Sequence, residues 1–338
     1  MNWQGRAVLV TGGASFIGSN LAKNLLKRGA KVRVVDDLSS GKLANIKEQV
    51  DAGQIQFVEA DLRRPGVAER AVEGMSVVFH LAADHGGRGY VDLHQAACSV
   101  NLLLDGIVFR ASRLAGVEKV VYASSGCVYP NYVQTDPNQI LYLTEEMVGP
   151  PYDADNMYGW AKLMAEMTLR AYHKDWGMKS ASCRYFTVYG PQGVENHAVI
   201  AMIARAFLRK DPFVVWGTGE QIRNWTYIDD IVRGTILAAE KIDDGTAVNL
   251  GTMERIKVID AAKEVCRTMG YSPKFELHPE MPTGPYNRVA DNSLAKKLLG
   301  WEPETAFLDG LHRTIDWYIS TQNQGEVSAK LQTMLTER

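Results

Sequence analysis

Six short apolar runs, each followed by a stretch of helical periodicity, restrict the architectures open to this chain. They are Ala7–Val10, Lys31–Val35, Gln56–Ala60, Ser76–Leu81, Lys119–Ala123 and Ser180–Phe186. The longest helical patterns between and around them are predicted over about Val91–Ala115 and Asn156–Trp176. Strands that alternate with helices pair in parallel, because each helix must carry the chain back across the sheet before the next strand begins. The expectation is an α/β fold with a doubly wound parallel sheet. Ligands then gather beyond the strand C-termini, where the winding reverses. After Gly190-Pro191 the alternation loosens, with a helix predicted from about His197 to Leu208 and a strand at Phe213–Trp216. The domain reading is therefore 1–190 for the sheet domain and 191–322 for a smaller C-terminal lobe. A segment near 247–251 is expected to return to the main sheet, and 323–338 forms a polar tail expected to fray.

The first strand runs into Thr11-Gly12-Gly13-Ala14-Ser15-Phe16-Ile17-Gly18, and a helix follows with Leu21, Leu25 and Leu26 on its inner face. Glycines at such a turn let backbone N–H groups approach a pyrophosphate at the helix N-terminus. The middle position carries Ser15 rather than glycine, so the approach must tolerate a Cβ. The next strand ends in Asp36-Asp37. A carboxylate there accepts hydrogen bonds from the adenosine ribose and repels a 2′-phosphate, which predicts NAD rather than NADP in a Rossmann-like domain. Asp36 is the expected ribose partner, with Asp37 a solvated turn residue.

Further on, Tyr158-Gly159-Trp160-Ala161-Lys162 places a phenol and an ammonium four residues apart on one helix face. The ammonium favours phenolate, so the tyrosine is expected to act as a base nearer neutrality than its ordinary pKa of about 10. Oxidation of an alcohol to a ketone needs such a base while hydride leaves carbon. The run Ser124-Ser125-Gly126-Cys127-Val128-Tyr129 precedes it at a strand end.

Composition removes other classes. A net charge of −2 over 338 residues gives no electrostatic footprint for nucleic acid or an anionic membrane. No apolar run reaches about 18 residues, and Met1–Gly5 does not read as a signal peptide. The four cysteines and seven histidines show neither paired nor zinc-like spacing. The expectation is a cytoplasmic protein with reduced thiols and no metal. His80, Cys98, Trp216, Trp225 and Trp301 read as packing residues.

In order along the chain, Thr11–Gly18, Asp36, Asp61-Leu62, His80-Leu81-Ala82-Ala83, Asn101, Ser125, Tyr158 with Lys162, Arg184–Pro191, Arg223 through Asp229-Asp230, and Arg288 resemble the extended short-chain dehydrogenase/reductase family, in its nucleotide-sugar epimerase and dehydratase branch. Within that branch, Ala82-Ala83-Asp84-His85-Gly86-Gly87-Arg88-Gly89 and Ser124-Ser125-Gly126-Cys127-Val128-Tyr129-Pro130 are most similar to the GDP-mannose 3,5-epimerase group. The resemblance covers almost the whole chain. It implies NAD contacts from Gly12, Ser15, Phe16, Ile17, Gly18, Asp36, Asp61, Leu62, Leu81, Ala82, Ala83, Asn101, Tyr158, Lys162 and Tyr185. Asp61 is expected either near the adenine or as the cap of its own turn. It implies a nucleotide-diphosphate sugar as substrate, met by Gly87, Arg88, Ser125, Thr187, Arg223 and Arg288, and a homodimer built on the two long helices.

The same resemblance implies the chemistry. Tyr158 takes the O4 proton with Ser125 and Lys162 assisting, and the resulting 4-ketone acidifies C3 and C5. Cys127 removes a proton from one face and an acid on the other returns one. In place of the group's lysine stands His197, and in place of its asparagine before Val188-Tyr189-Gly190 stands Thr187. A thiolate is a competent base once a ketone is adjacent. The expected activity is epimerisation at C3 and/or C5. The alternatives are a 4-epimerase in which Cys127 is a bystander, a dehydratase or decarboxylase (which would carry Glu at position 127), and a non-catalytic NAD-sensing scaffold.

Overall fold

The computed structural model of the chain describes residues 1–334. Seven strands form one parallel sheet: β1 (Ala7–Thr11), β2 (Lys31–Asp36), β3 (Ile55–Glu59), β4 (Val77–His80), β5 (Lys119–Ser125), β6 (Lys179–Tyr185) and, from late in the chain, β11 (Asp244–Leu250). Their order is β11-β6-β5-β4-β1-β2-β3. The winding goes outward from β1 through β2 to β3, then restarts at β4 and goes the other way. The crevice at the β1/β4 boundary is thus the switch point. There the register sets Thr11 opposite His80, so the turns after both strands open on the same edge.

Side chains that alternate along each strand build two cores, one per sheet face. Val8, Val10, Val34, Phe79 and Val121 pack beneath α1 (Phe16–Lys27) and α9 (Ile228–Lys241). Leu9, Val35, Val78, Val120 and Tyr122 pack beneath α3 (Val67–Val72), α6 (Asn101–Leu114) and α7 (Asn156–Trp176). Each fully buried Val, Leu or Phe contributes about 1.5–3 kcal/mol. The sheet is covered on both sides, which is why its strands read as continuous apolar runs. A short helix α2 (Lys47–Asp51) precedes β3.

The long helix expected over 91–115 is three pieces: α4 (Arg88–Leu93), α5 (Gln95–Cys98) and α6. The breaks have a common anchor. Tyr90 on α4 donates its hydroxyl to Asp84 Oδ1 at 2.8 Å, and Asn101 at the start of α6 clamps the Asp84 backbone at both ends. Two helices tied to one loop residue cannot be collinear, and His94 takes a non-helical ψ of 46° between them.

The remaining elements form the C-terminal lobe. β7 (Thr187–Tyr189) pairs with β10 (Trp225–Tyr227), β8 (Phe213–Trp216) with β13 (Phe275–His278), and β9 (Ile222–Arg223) lies between β12 (Ile256–Lys257) and β14 (Asn287–Arg288). Helices α8 (Ala198–Phe207), α10 (Val258–Thr268), α11 (Ser293–Leu299) and α12 (Phe307–Thr321) complete it. The tail expected to fray instead forms α13 (Gln324–Met334), whose Val327 and Leu331 are buried in the main core. Two apolar residues four apart make one helix face, which docking on α8 removes from water.

Candidate active site

The β1 turn and the helix after it form one end of the site. Gly12 has φ +66°, and a Cβ there would approach Ala82 N at 2.9 Å, so only glycine lets the β1 and β4 turns touch. A Cβ at Gly18 would come within 2.2 Å of Gly12 O. Ser15 Oγ donates back to Gly12 O at 2.7 Å and makes no cap bond to the helix. The hydroxyl is thereby folded into the turn, and the α1 N-terminus faces the cavity uncapped. This arrangement fits a pyrophosphate.

Asp36 closes the adjoining cavity, which is also lined by Asp61, Leu62 and Ala82. Its Oδ2 accepts from Ala14 N and its Oδ1 from Leu38 N, both at 2.9 Å. A carboxylate fixed in this way retains lone pairs for ribose hydroxyls. Asp61 lines this cavity and caps its own turn, accepting from Arg63 through the backbone N at 2.9 Å and Nε at 2.8 Å. Arg63, held by Asp61 and within 3.8 Å of Asp37, is a neutralised cation. Asn101 lies outside both cavities. Its amide binds both backbone groups of Asp84, so it positions the β4 loop.

The larger cavity, about 420 Å³, brings together Ser125, Cys127, Tyr158, Lys162, Thr187, His197, Arg223 and Arg288, along with Gly87, Arg88, Leu81, Ala83 and Tyr185. Gly159 explains how Tyr158 comes so near Cys127. A Cβ at Gly159 would stand 2.3 Å from Cys127 O, so the start of α7 rests directly on the turn at 126–128. Asp155 N completes the seam by donating to Cys127 O at 2.8 Å.

The expected shift of Tyr158 toward neutrality is not what this arrangement produces. Burial pushes its phenol well above 10, opposed by a hydrogen bond with Ser125. Lys162 Nζ lies over the Tyr158 ring at 5.6 Å and donates to Ala123 O at 2.8 Å. Burial pushes the Lys162 ammonium down, and Asp105 opposes that shift. Desolvation of the phenolate is the largest influence, and the Lys162 ammonium does not offset it.

His197 is also displaced from its expected pKa. Burial pushes its imidazole down to about 4, so it is neutral at pH 7. It caps α8 and packs against Phe16 and His85 at ring separations of 6.3 Å. An anionic substrate in the same cavity acts in the opposite direction on this pKa.

The arginines divide by partner. Arg88 pairs with Asp92 and with Asp155 Oδ2 at 2.7 Å. Arg288 reaches the same Asp155 oxygen at 2.9 Å, takes Gln134 Oε1 through Nε, and donates from Nη1 to Cys127 Sγ at 3.3 Å. Arg223 sits opposite Arg288 in the β9/β14 register and, among the described residues, donates to backbone carbonyls, of Ile222 at 2.8 Å and Thr283 at 2.7 Å. Burial first, then Arg288 and Arg88, push Arg223 down to about 9. A guanidinium that makes no salt bridge among the described residues, next to a second arginine, fits a diphosphate.

Sequence reading missed Asp155, Gln134, Gln221, Trp216 and Arg205. Trp216, expected in the core, is half-buried and lines the cavity, whereas Trp225 and Trp301 are buried as expected. His80 is buried but not merely packed: it links Thr11 Oγ1 at 2.7 Å to Asp105 at 2.9 Å. The one available signal for Arg205 was its isolation as the single charge in the helix AVIAMIARAF. Among the described residues no group of three or more His, Cys, Asp or Glu is placed to hold a metal. No helix there is long and apolar enough to cross a membrane.

A Rossmann-like sheet with Ser125 at the end of β5, and Tyr158, Lys162, Arg223 and Arg288 lining the same cavity, defines a nucleotide-handling redox fold. Residues 8–251 match the NAD dependent epimerase/dehydratase family, and the chain belongs to it. NAD is the cofactor of that family. A GDP-mannose 3,5-epimerase from Oryza sativa subsp. japonica is 31% identical over 315 residues, covering 92% of this chain and 81% of that one. A UDP-glucose 4-epimerase from Mycolicibacterium smegmatis is also 31% identical, over 92% of this chain and 97% of its own. Among solved structures, the Bacillus cereus UDP-glucuronic acid 4-epimerase in complex with UDP-glucuronic acid and NAD superposes with a TM-score of 0.84 at 27% identity, covering 94% of this chain and 100% of that chain.

Proposed function

We propose that the protein is an NAD-dependent nucleotide-sugar epimerase acting at C3 and/or C5 through a transient 4-keto sugar. The observation that carries this reading is Cys127: its sulfur faces the cavity that holds Ser125 and Tyr158, with a guanidinium donating to it. The Gly12–Gly18 turn, Asp36 and the β4 loop would hold NAD, which would supply the hydride acceptor and donor at C4. Tyr158 takes the O4 proton while Ser125 orients the hydroxyl. The ketone then acidifies the neighbouring C–H bonds, and Cys127, reacting as a thiolate with Arg288 donating to its sulfur, takes a proton from one face and becomes the neutral thiol. His197, which lines the same cavity, is the proton donor for inversion once substrate charge has raised its pKa. Arg223 and Arg288 hold the diphosphate.

The test separates oxidation from epimerisation. Nucleotide sugars are incubated with the holoenzyme in D2O and read by NMR, with absorbance at 340 nm reporting reduction of bound NAD. Tyr158→Phe should abolish that reduction. Cys127→Ser should keep it and lose deuterium exchange at C3 and C5 by about 10²–10⁴-fold. Full exchange and activity in Cys127→Ser would make the thiol a packing group and a 4-epimerase the better reading.

The partner reading is a homodimer through α6 and α7. These helices pack on each other and leave Leu102, Leu103, Trp160 and Met164 between 38% and 55% exposed.

A further inference from the structure

Asp105 on α6 is buried, and no step assigned above uses it. Its two oxygens are held from two strands. His80 Nε2 on β4 donates to Oδ1 at 2.9 Å, and the Tyr122 hydroxyl on β5 donates to Oδ2 at 2.7 Å. The direction of the first bond follows from Thr11. Its Oγ1 accepts from Leu81 N and Ala82 N, both at 3.1 Å, so its own proton is left for His80 Nδ1 at 2.7 Å, and the ring proton sits on Nε2. A group that accepts at both oxygens from two donors is a carboxylate, since an amide would set an N–H against one of them.

Tyr122 joins this carboxylate to Lys162. The ammonium stands 4.6 Å from the centre of the ring whose hydroxyl is bound to Asp105. A phenol that donates to a carboxylate gains electron density, which favours a cation on its face. Lys162 is 1% exposed, and its hydrogen bond goes to an uncharged carbonyl, that of Ala123. A buried ammonium needs a counter-charge. Burial pushes Lys162 down, and Asp105 leads the groups that push it back up, ahead of Cys127 from the turn after β5 and Glu166 from α7 itself. Glu166 is already paired with Arg184 at 2.8 Å. Tyr158 is pushed up by burial, then by Cys127 and Cys98, with Asp105 behind them.

We infer that Asp105 is a positioning residue for the oxidation step, the buried counter-charge that keeps Lys162 an ammonium beside Tyr158, with His80 and Tyr122 fixing its two oxygens. Thr11, at the mouth of the nucleotide-binding turn, sets the His80 ring and so ties the cofactor end of the site to the Tyr158 end. This rests on the reading of Tyr158 as the base at O4.

Two measurements on the full-length holoenzyme test it. The first is the rate of transient NAD reduction at 340 nm from about pH 6 to about pH 10, with GDP-mannose and with UDP-glucose. The rate should fall at high pH as Lys162 loses its proton. Asp105→Asn removes the counter-charge and should move that fall to lower pH by about one unit. Asp105→Glu keeps the charge but overfills the core, so it should lower the melting temperature and leave the fall in place. The second is a melting comparison. Lys162→Met strands the carboxylate and should melt below wild type, and adding Asp105→Asn should raise the melting temperature again, because neither charge is then stranded. That arm stands even where Asp105→Asn alone does not fold. An unmoved pH profile in Asp105→Asn, an equal move in Asp105→Glu, or a double variant melting no higher than Lys162→Met would each overturn the role of Asp105. NAD reduction by neither sugar nucleotide in the wild type would overturn the epimerase reading instead, and the melting temperatures would still decide the charge pair.

Discussion

Arg288 Nη1 donates to Cys127 Sγ at 3.3 Å, across 161 residues of sequence. The same guanidinium is fixed by Asp155 at 2.9 Å and Gln134 at 2.9 Å, so its aim at the sulfur is set by two further groups. Asp155 also holds Arg88, and therefore ties the Gly-rich loop, the α7 cap and strand β14 into one unit. A planar fork is needed for this, since a lysine ammonium cannot serve Asp155 and Cys127 from two separate nitrogens. Arg288→Lys should therefore lower C3/C5 deuterium exchange at saturating substrate by about 10²-fold while leaving transient NAD reduction within a few-fold. Equal loss of both signals would confine Arg288 to substrate binding.

Gly159 should prove intolerant for a steric reason. A methyl group there meets Cys127 O at 2.3 Å, and the obstacle is backbone that cannot rotate away. Gly159→Ala should cost about 1–3 kcal/mol in urea denaturation and depress substrate-driven NAD reduction, because Tyr158 moves with the helix. Gly106 on α6 is the control: nothing lies within 4 Å of its Cβ position, so Gly106→Ala should stabilise by about 0.5–1 kcal/mol.

The stability of the protein should carry a pH signature from His197. Its folded pKa, about 4, lies below the ordinary 6.5, so the unfolded chain takes up the proton first as pH falls. Stability from this group is intact above pH 6.5 and is lost progressively as pH drops toward 4, by up to about 3 kcal/mol. Denaturation midpoints at pH 7, 5.5 and 4.5 should fall more steeply for wild type than for His197→Gln. Parallel curves would mean that the imidazole titrates normally.

A homodimer through α6 and α7 should appear in light scattering at micromolar concentration. Leu103→Glu combined with Met164→Lys should give a monomer that still holds NAD, since these exposed side chains line neither cavity. A wild-type monomer would remove this reading.

Much of the fold was legible because its signals are local. β1, β2, β4, β5 and β6 begin or end within two residues of the apolar runs that mark them, and α7 covers the whole predicted span. A Rossmann turn needs glycine at particular φ and at particular close approaches, and a Tyr–Lys pair four apart shares a helix face whatever surrounds it. The backbone enforces these rules over a handful of residues, so the sequence by itself determined the doubly wound sheet, the family and the Ser125, Tyr158 and Lys162 set.

Tertiary structure alone decided the rest. The break of the 91–115 helix follows from Asp84 being held by both Tyr90 and Asn101. Packing of Val327 and Leu331 turned a polar tail into α13. The Arg88–Asp155–Arg288–Cys127 chain joins segments far apart in sequence, and no local pattern marks its members as neighbours. Desolvation set the directions of Tyr158, Lys162, His197 and Arg223, because the cost of charge depends on what the whole fold places around it. Periodicity and turn chemistry act through neighbours in the chain, whereas burial and charge pairing act through neighbours in space.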